Sequence, residues 1–214
     1  MNLSFEYNKE KDIWCLLEKG KSSINSAQPT KTYEKLIAFT GENPDEVKTS
    51  EFIDIYLKEN NLDILNFIEN TEKDFEKISS EFIKRAEDIF GLNLEKEIKV
   101  FVTINERCPY NTKENWFFIS VSKENPVSTI MHELWHFYTW EKFGEEYLNK
   151  IGGEKYNVIK ESLTVILNLE FSDLLPEKDF GYPNHQELRG EISLLWQESK
   201  NMDYVFTNSL KFLD

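Results

Sequence analysis

Two of the three histidines in this 214-residue sequence stand four residues apart, in His132-Glu133-Leu134-Trp135-His136. On a helix, positions i and i+4 lie about 40° apart, so both imidazoles can reach one ion. Glu133 follows His132 by about 100° and so flanks such an ion rather than coordinating it. From there its carboxylate can accept a proton from a metal-bound water. The HExxH spacing therefore predicts a Zn2+ site with its own base.

The neighbours of the motif agree with that reading. On a helical wheel Ile130, Met131, Leu134, Trp135, Phe137 and Tyr138 form a broad apolar arc. His132 and His136 fall on the opposite side with Ser128, Thr129 and Thr139. A helix this apolar is buried over most of its surface. The histidine face is thus expected to line a cleft, with small hydroxyl residues leaving room for an ion and a ligand.

Catalytic zinc usually takes three protein ligands and keeps a fourth position open. Position 139 is Thr and position 142 is Lys, so the extended HExxHxxGxxH pattern is absent. Among the downstream carboxylates, Glu145 and Glu146 follow Gly144 and are expected to be solvated. Glu161 sits mid-helix on a narrow polar stripe with Asn157, Thr164 and Asn168, on a segment otherwise rich in Ile and Leu. Such a stripe needs partners. It serves either hydrogen bonds or solvent, or it presents Glu161 as the third metal ligand, which is the preferred reading.

These residues need elements to position them. A short helix is expected from Pro29 to the stop at Gly41, and another from Pro44. A longer helical stripe follows through Ile64, Ile68, Phe75, Ile78, Phe82, Ala86 and Ile89 to Gly91, so residues 1–91 read as helical throughout. The period then changes to that of strands at 97–104 and 115–121, separated by a loop. Trp116 and Phe118 would share one face of the second strand, Phe117 and Ile119 the other. That strand is a candidate edge for pairing with an extended peptide, although ordinary sheet packing accounts for its aromatics too. The motif helix is expected from Pro126 to about Phe143, stopped by Gly144. Further helices are expected at about 155–171 and 184–199. Many helices, few strands and no βαβ rhythm make an α+β fold, mostly helical with a small sheet.

HELWH on one helix, followed by a Glu-bearing helix beginning near Lys155 with KESLT, resembles the gluzincin branch of the zinc metallopeptidases. The helix-strand-strand-helix order before the motif is similar to the compact catalytic core of zincins. The likeness covers roughly residues 65–200. It implies a zincin-like fold with the sheet beside the HExxH helix, zinc held by His132, His136 and Glu161, and Glu133 as general base. Gluzincins often carry an Asp in the helix turn after the Glu ligand, bonded to a zinc-binding His. Positions 164 and 165 are Thr and Val here, so that role is missing or passes to Thr164 or Asn168.

The resemblance also implies a donor for the developing oxyanion, commonly a downstream His or Tyr, and GYPNHQELRGE offers Tyr182 and His185. His185 is alternatively a fourth zinc ligand that closes the site, or a helix-start residue bonding the backbone. Arg189 would bind a substrate carboxylate or, the preferred reading, pair with Glu187, Glu191 or a distant acid.

Composition narrows the remaining possibilities. With 40% hydrophobic and 14% aromatic residues the chain can fill a core. A net charge of -14 argues against partners held through phosphates, whether nucleic acid or an anionic membrane. No stretch approaches the roughly 18 apolar residues of a membrane helix, and MNLSFEYNKEKDIWCLLEKG has no signal-peptide pattern. Cys15 and Cys108, far apart and outside any CxxC, read as reduced thiols, from which a cytoplasmic location is expected.

These expectations combine into a helical N-terminal extension at 1–64 and a zincin-like catalytic domain at 65–214, or one continuous domain. The expected activity is zinc-dependent hydrolysis of a peptide or protein substrate. A non-catalytic zinc-binding module on the same fold, or a hydrolase of a non-peptide amide, is the alternative.

Overall fold

The computed structural model describes residues 1–22, 28–41 and 43–213. It has a mixed α+β fold: nine α-helices among the described residues, and a four-stranded sheet of order β1-β2-β4-β3. The chain divides into two compact units, Asn2–Phe75 with Lys96–Pro126, and Met1 with Glu76–Glu95 and Val127–Asp214.

The first unit holds the sheet. Strand β1 (Asn2–Glu6) runs parallel to β2 (Glu97–Thr103), with Asn2 opposite Glu97. On its other side β2 runs parallel to β4 (Trp116–Ser120), and the two-residue β3 (Tyr110–Asn111) closes antiparallel on β4. Residues 1–64 are therefore not an all-helical extension, because their first strand is part of the sheet. Of the two readings of the second strand, ordinary sheet packing holds and the open edge does not. Strand β4 lies between β2 and β3, and Phe118 donates its N–H to the Pro109 carbonyl at 2.9 Å. Its aromatic residues Phe117 and Phe118 are fully buried, as parallel strands covered on both faces require.

Helix α1 (Lys9–Trp14) is capped by the Asn8 side chain, which accepts from the Lys11 N–H at 3.1 Å. It carries Asp12 into the interior. There the carboxylate accepts from Thr103 Oγ1 at 2.6 Å, the Ile104 N–H at 3.2 Å and the Tyr7 hydroxyl at 3.2 Å. Helices α2 (Lys31–Thr40) and α3 (Glu46–Glu59) bury Tyr33, Leu36, Phe52 and Ile53 in one cluster with Leu16 and Ile104.

Along helix α4 (Ile64–Phe90) the expected stripe residues Ile64, Phe75, Phe82 and Ala86 are buried and Ile68, Ile78 and Ile89 half-buried, with Phe90 rather than Ile89 as its buried end. In the second unit its end meets the motif helix α5 (Pro126–Ile151) through aromatic rings. Phe90 packs on Trp135 at 4.7 Å and on Tyr138 at 5.4 Å between ring centroids. Gly144 does not stop α5, which continues to Ile151. A Cβ at 144 would run into the Trp140 indole, so the glycine serves close packing inside the helix.

The expected single helix at 155–171 is two, α6 (Gly153–Ser162) and α7 (Val165–Glu170). Between them, Ile166 and Leu167 donate to the carbonyls three residues back, Leu163 and Thr164, in a tightened turn. Thr164 Oγ1 bonds the Glu161 carbonyl at 2.8 Å, competing with the helical ladder where the helix breaks. A short 3-10 turn (Pro183–His185), α8 (Gln186–Ser199) and α9 (Met202–Ser209) complete the unit. Phe143 of α5 stacks on Phe206 of α9 at 4.0 Å.

Candidate metal centre

Helix α5 is buried along both its apolar arc and much of its histidine face. Glu133, His136 and Thr139 are almost inaccessible, while the His132 side chain keeps 24% of its exposure. The two imidazole rings stand edge to face with centroids 4.5 Å apart, as the four-residue spacing predicts.

Glu161, at the end of α6, meets both rings with one oxygen. Its Oε2 lies 3.6 Å from His132 Nε2 and 3.4 Å from His136 Nε2. One donor atom from each of His132, His136 and Glu161 falls within 4.8 Å of the others, so the three can hold a metal ion. Among the described residues the group is made of two imidazole nitrogens and one carboxylate oxygen, and His185 is not a member of it.

The other edge of His132 is held by a residue that sequence reasoning did not single out. Its Nδ1 lies 2.5 Å from Asp179 Oδ2. With Nδ1 bonded to a carboxylate, Nε2 is the nitrogen left for an ion. Asp179 is in turn clamped. Its Oδ1 accepts from Arg189 Nη2 at 2.9 Å and lies 3.0 Å from Thr164 Oγ1, whose one proton it shares with the Glu161 carbonyl. Its backbone exchanges hydrogen bonds with the Asn168 side chain at 2.7 and 2.8 Å. The polar stripe of Thr164 and Asn168 beside Glu161 is therefore the seat of Asp179. Thr164 and Asn168 do not themselves replace the missing carboxylate; they hold it. Arg189, buried on α8, pairs with this distant acid, and it also donates to Thr164 Oγ1 at 2.7 Å. Gly181 has φ +61°, and a Cβ there would lie 2.6 Å from the guanidinium, so this position favours glycine twice over.

Electrostatics sort the three ligands and the base. Burial alone would raise the Glu161 carboxyl, but His136, Lys160 and His132 outweigh it and hold it well below the usual carboxylate range. Burial would lower His132, but Asp179 and Glu161 raise it well above an ordinary imidazole. His136 is lowered, chiefly by burial. Glu133 is pushed up to about 8, first by burial and then by the neighbouring carboxylates Glu161 and Asp179 against the pull of His132. Its Oε2 is buried with no hydrogen-bond partner. A carboxylate oxygen left bare inside a protein is costly unless a ligand or a proton comes to it.

Lys160, next to Glu161, is also buried, and its Nζ donates to Glu161 Oε1 at 2.7 Å. Burial pushes the Lys160 amine down from its ordinary value while Glu161 opposes that shift.

His185 is buried at the end of the 3-10 turn, with Nδ1 lacking a hydrogen-bond partner. Its imidazole is lowered by burial and lies within the electrostatic reach of Glu161, Arg189 and Lys160. Tyr182, half-buried at the start of that turn, sets its ring edge-on to His185 at 5.3 Å. The Tyr182 and Phe180 carbonyls both accept from Gln186 Nε2, at 2.9 and 2.7 Å, which fixes the loop.

The chain matches no family model, no curated protein and no solved structure. His132, His136 and Glu161 could hold a metal ion on two imidazole nitrogens and one carboxylate oxygen.

Proposed function

We propose that the protein is a zinc-dependent hydrolase of peptide bonds built on a zincin-like fold, in line with its resemblance to the gluzincin metallopeptidases. The observation that carries this reading is the convergence of His132, His136 and Glu161 beside a buried Glu133 whose Oε2 has no partner. Three ligands with an adjacent unsatisfied base is the arrangement of a catalytic zinc site, because a structural site closes its fourth position with protein.

In this reading His132, His136 and Glu161 hold the zinc. Bound zinc would supply polarisation of the scissile carbonyl and acidification of water. The charge of a bound ion would draw the Glu133 carboxyl back down to its ionised form, and Glu133 then accepts the proton of the attacking water at Oε2 and returns it to the leaving amine. Asp179 keeps the His132 proton on Nδ1 and its Nε2 directed inward. His185 is the donor toward the carbonyl oxygen as negative charge develops there, and Tyr182 supports its ring. The substrate partner is a peptide or protein.

A cytoplasmic setting is part of the proposal, supported by two free thiols. No helix among the described residues is long and apolar enough to cross a membrane.

The experiment is metal analysis of the purified protein together with cleavage of a mixed peptide library, with and without chelator. One zinc per chain and cleavage that chelator removes and zinc restores is the expected result. Zinc bound without cleavage of any peptide would instead favour the binding-module alternative.

A further inference from the structure

Lysine is among the residues least often buried, and removing a cation from water is costly unless the structure repays it. Lys160 is nevertheless 4% exposed, on a helix that offers Ile159 and Leu163 as apolar neighbours. Adjacent positions on a helix lie about 100° apart and do not face each other. For Lys160 to reach Glu161, its side chain must therefore bend along the helix rather than extend to solvent. The outcome separates the two oxygens of one carboxylate. Oε1 takes Lys160 Nζ at 2.7 Å, while Oε2 faces His132 and His136 at 3.6 and 3.4 Å.

We propose that Lys160 is a positioning residue that restricts Glu161 to one-oxygen coordination and so keeps the centre low in coordination number. The inference rests on the metal-centre reading above. Its consequence is metal preference. Zinc is content with four ligands, whereas Mn2+, Mg2+ and Ca2+ want six or more, mostly oxygens. Holding Oε1 away from the ion withholds the extra oxygen those harder ions would use.

Cobalt(II) is the probe, because its visible absorption weakens as coordination rises from four to five or six. The wild-type protein, K160M and K160R are titrated with cobalt(II), and zinc and manganese affinities are measured in parallel. K160M is expected to bind cobalt(II) with weaker visible bands, and its preference for zinc over manganese to fall about tenfold or more. K160R retains a donor to Oε1 and is expected to keep the wild-type bands. A residue serving the fold alone would leave the cobalt spectrum of the bound centre unmoved. Identical spectra and identical metal preference in K160M overturn the inference while leaving the metal centre standing. A wild-type protein that takes up none of these ions removes the centre and the inference with it. Should K160M not fold, a crystal structure of the metal-loaded wild type decides: Oε1 on Lys160 supports the inference, and Oε1 on the ion overturns it.

Discussion

His132 Nδ1 and Asp179 Oδ2 meet at 2.5 Å although 47 residues of sequence separate them. Asp179 itself is fixed by Thr164, Asn168 and Arg189, so the orientation of the His132 ring is set by three segments at once. Asp179→Asn keeps the shape of the side chain and weakens its hold on the imidazole. Zinc affinity is expected to fall about 10–100-fold, measured by competition with a chromophoric chelator. Unchanged affinity would show that the carboxylate does not orient a ligand.

Glu133 separates binding from chemistry. Glu133→Gln is expected to retain one zinc per chain and to lose turnover by about 100- to 10,000-fold on any peptide the wild type cleaves. Metal analysis and initial rates on the same preparations check this. Full activity in the variant would sink the proposed mechanism, and loss of zinc would mean that Glu133 coordinates it.

Asp12 makes stability depend on pH in the first unit. Burial is the largest influence on its carboxyl, and it prevails over the hydrogen bonds from Thr103, Ile104 and Tyr7, raising it from 3.8 to about 6. The folded state then binds this proton more tightly than the unfolded chain does. The stabilising contribution is complete below 3.8 and is lost as pH rises through about 6. Relative to Asp12→Asn, which does not titrate, the wild type is expected to gain on the order of 3 kcal/mol between pH 7.5 and pH 3.5. Urea unfolding of both proteins across that range gives the difference directly. A difference that stays constant with pH would mean that Asp12 is an ordinary carboxylate.

Gly144 allows a test by sign. In a helix interior, Gly→Ala should stabilise by up to about 1 kcal/mol through propensity alone. Here the added methyl meets the Trp140 ring, and forcing atoms into a packed site costs about 1–3 kcal/mol. Gly144→Ala is therefore expected to lower the midpoint of thermal unfolding, and a raised midpoint would remove the packing account.

The same residues mark where sequence reading ended. The pairing of His132 with His136 is a property of one helix, and helical geometry alone placed their rings. Glu161 was legible because an isolated carboxylate on an apolar helix is conspicuous. Asp179 was not, since it lies in a loop between Pro176 and Gly181 and acquires its role only through contacts with α5, α6–α7 and α8. The stripe of Thr164 and Asn168 announced that a partner was needed without saying which. Arg189 was expected to find an acid, and that acid proved to be Asp179. Gly144 was read as a stop because a glycine behind an apolar helix usually is one. Only the Trp140 ring, packed forward over the next turn of the same helix, reveals the other use. Strand β1 alternates as Asn2, Leu3, Ser4, Phe5, Glu6, but five residues carry little signal when their hydrogen-bond partners lie far along the chain.

That last pairing has a bearing on how the protein is made. Asn2 finds its place opposite Glu97, so a growing chain exposes β1 while every helix up to α4 is synthesised, and the sheet can assemble only after β2 follows. Contacts closed over such long loops are slow to form and leave strand edges open to wrong partners in the interval. Recovery from denaturant is therefore where this protein should be most sensitive to concentration, and a bulky fusion placed directly before Asn2 should worsen it.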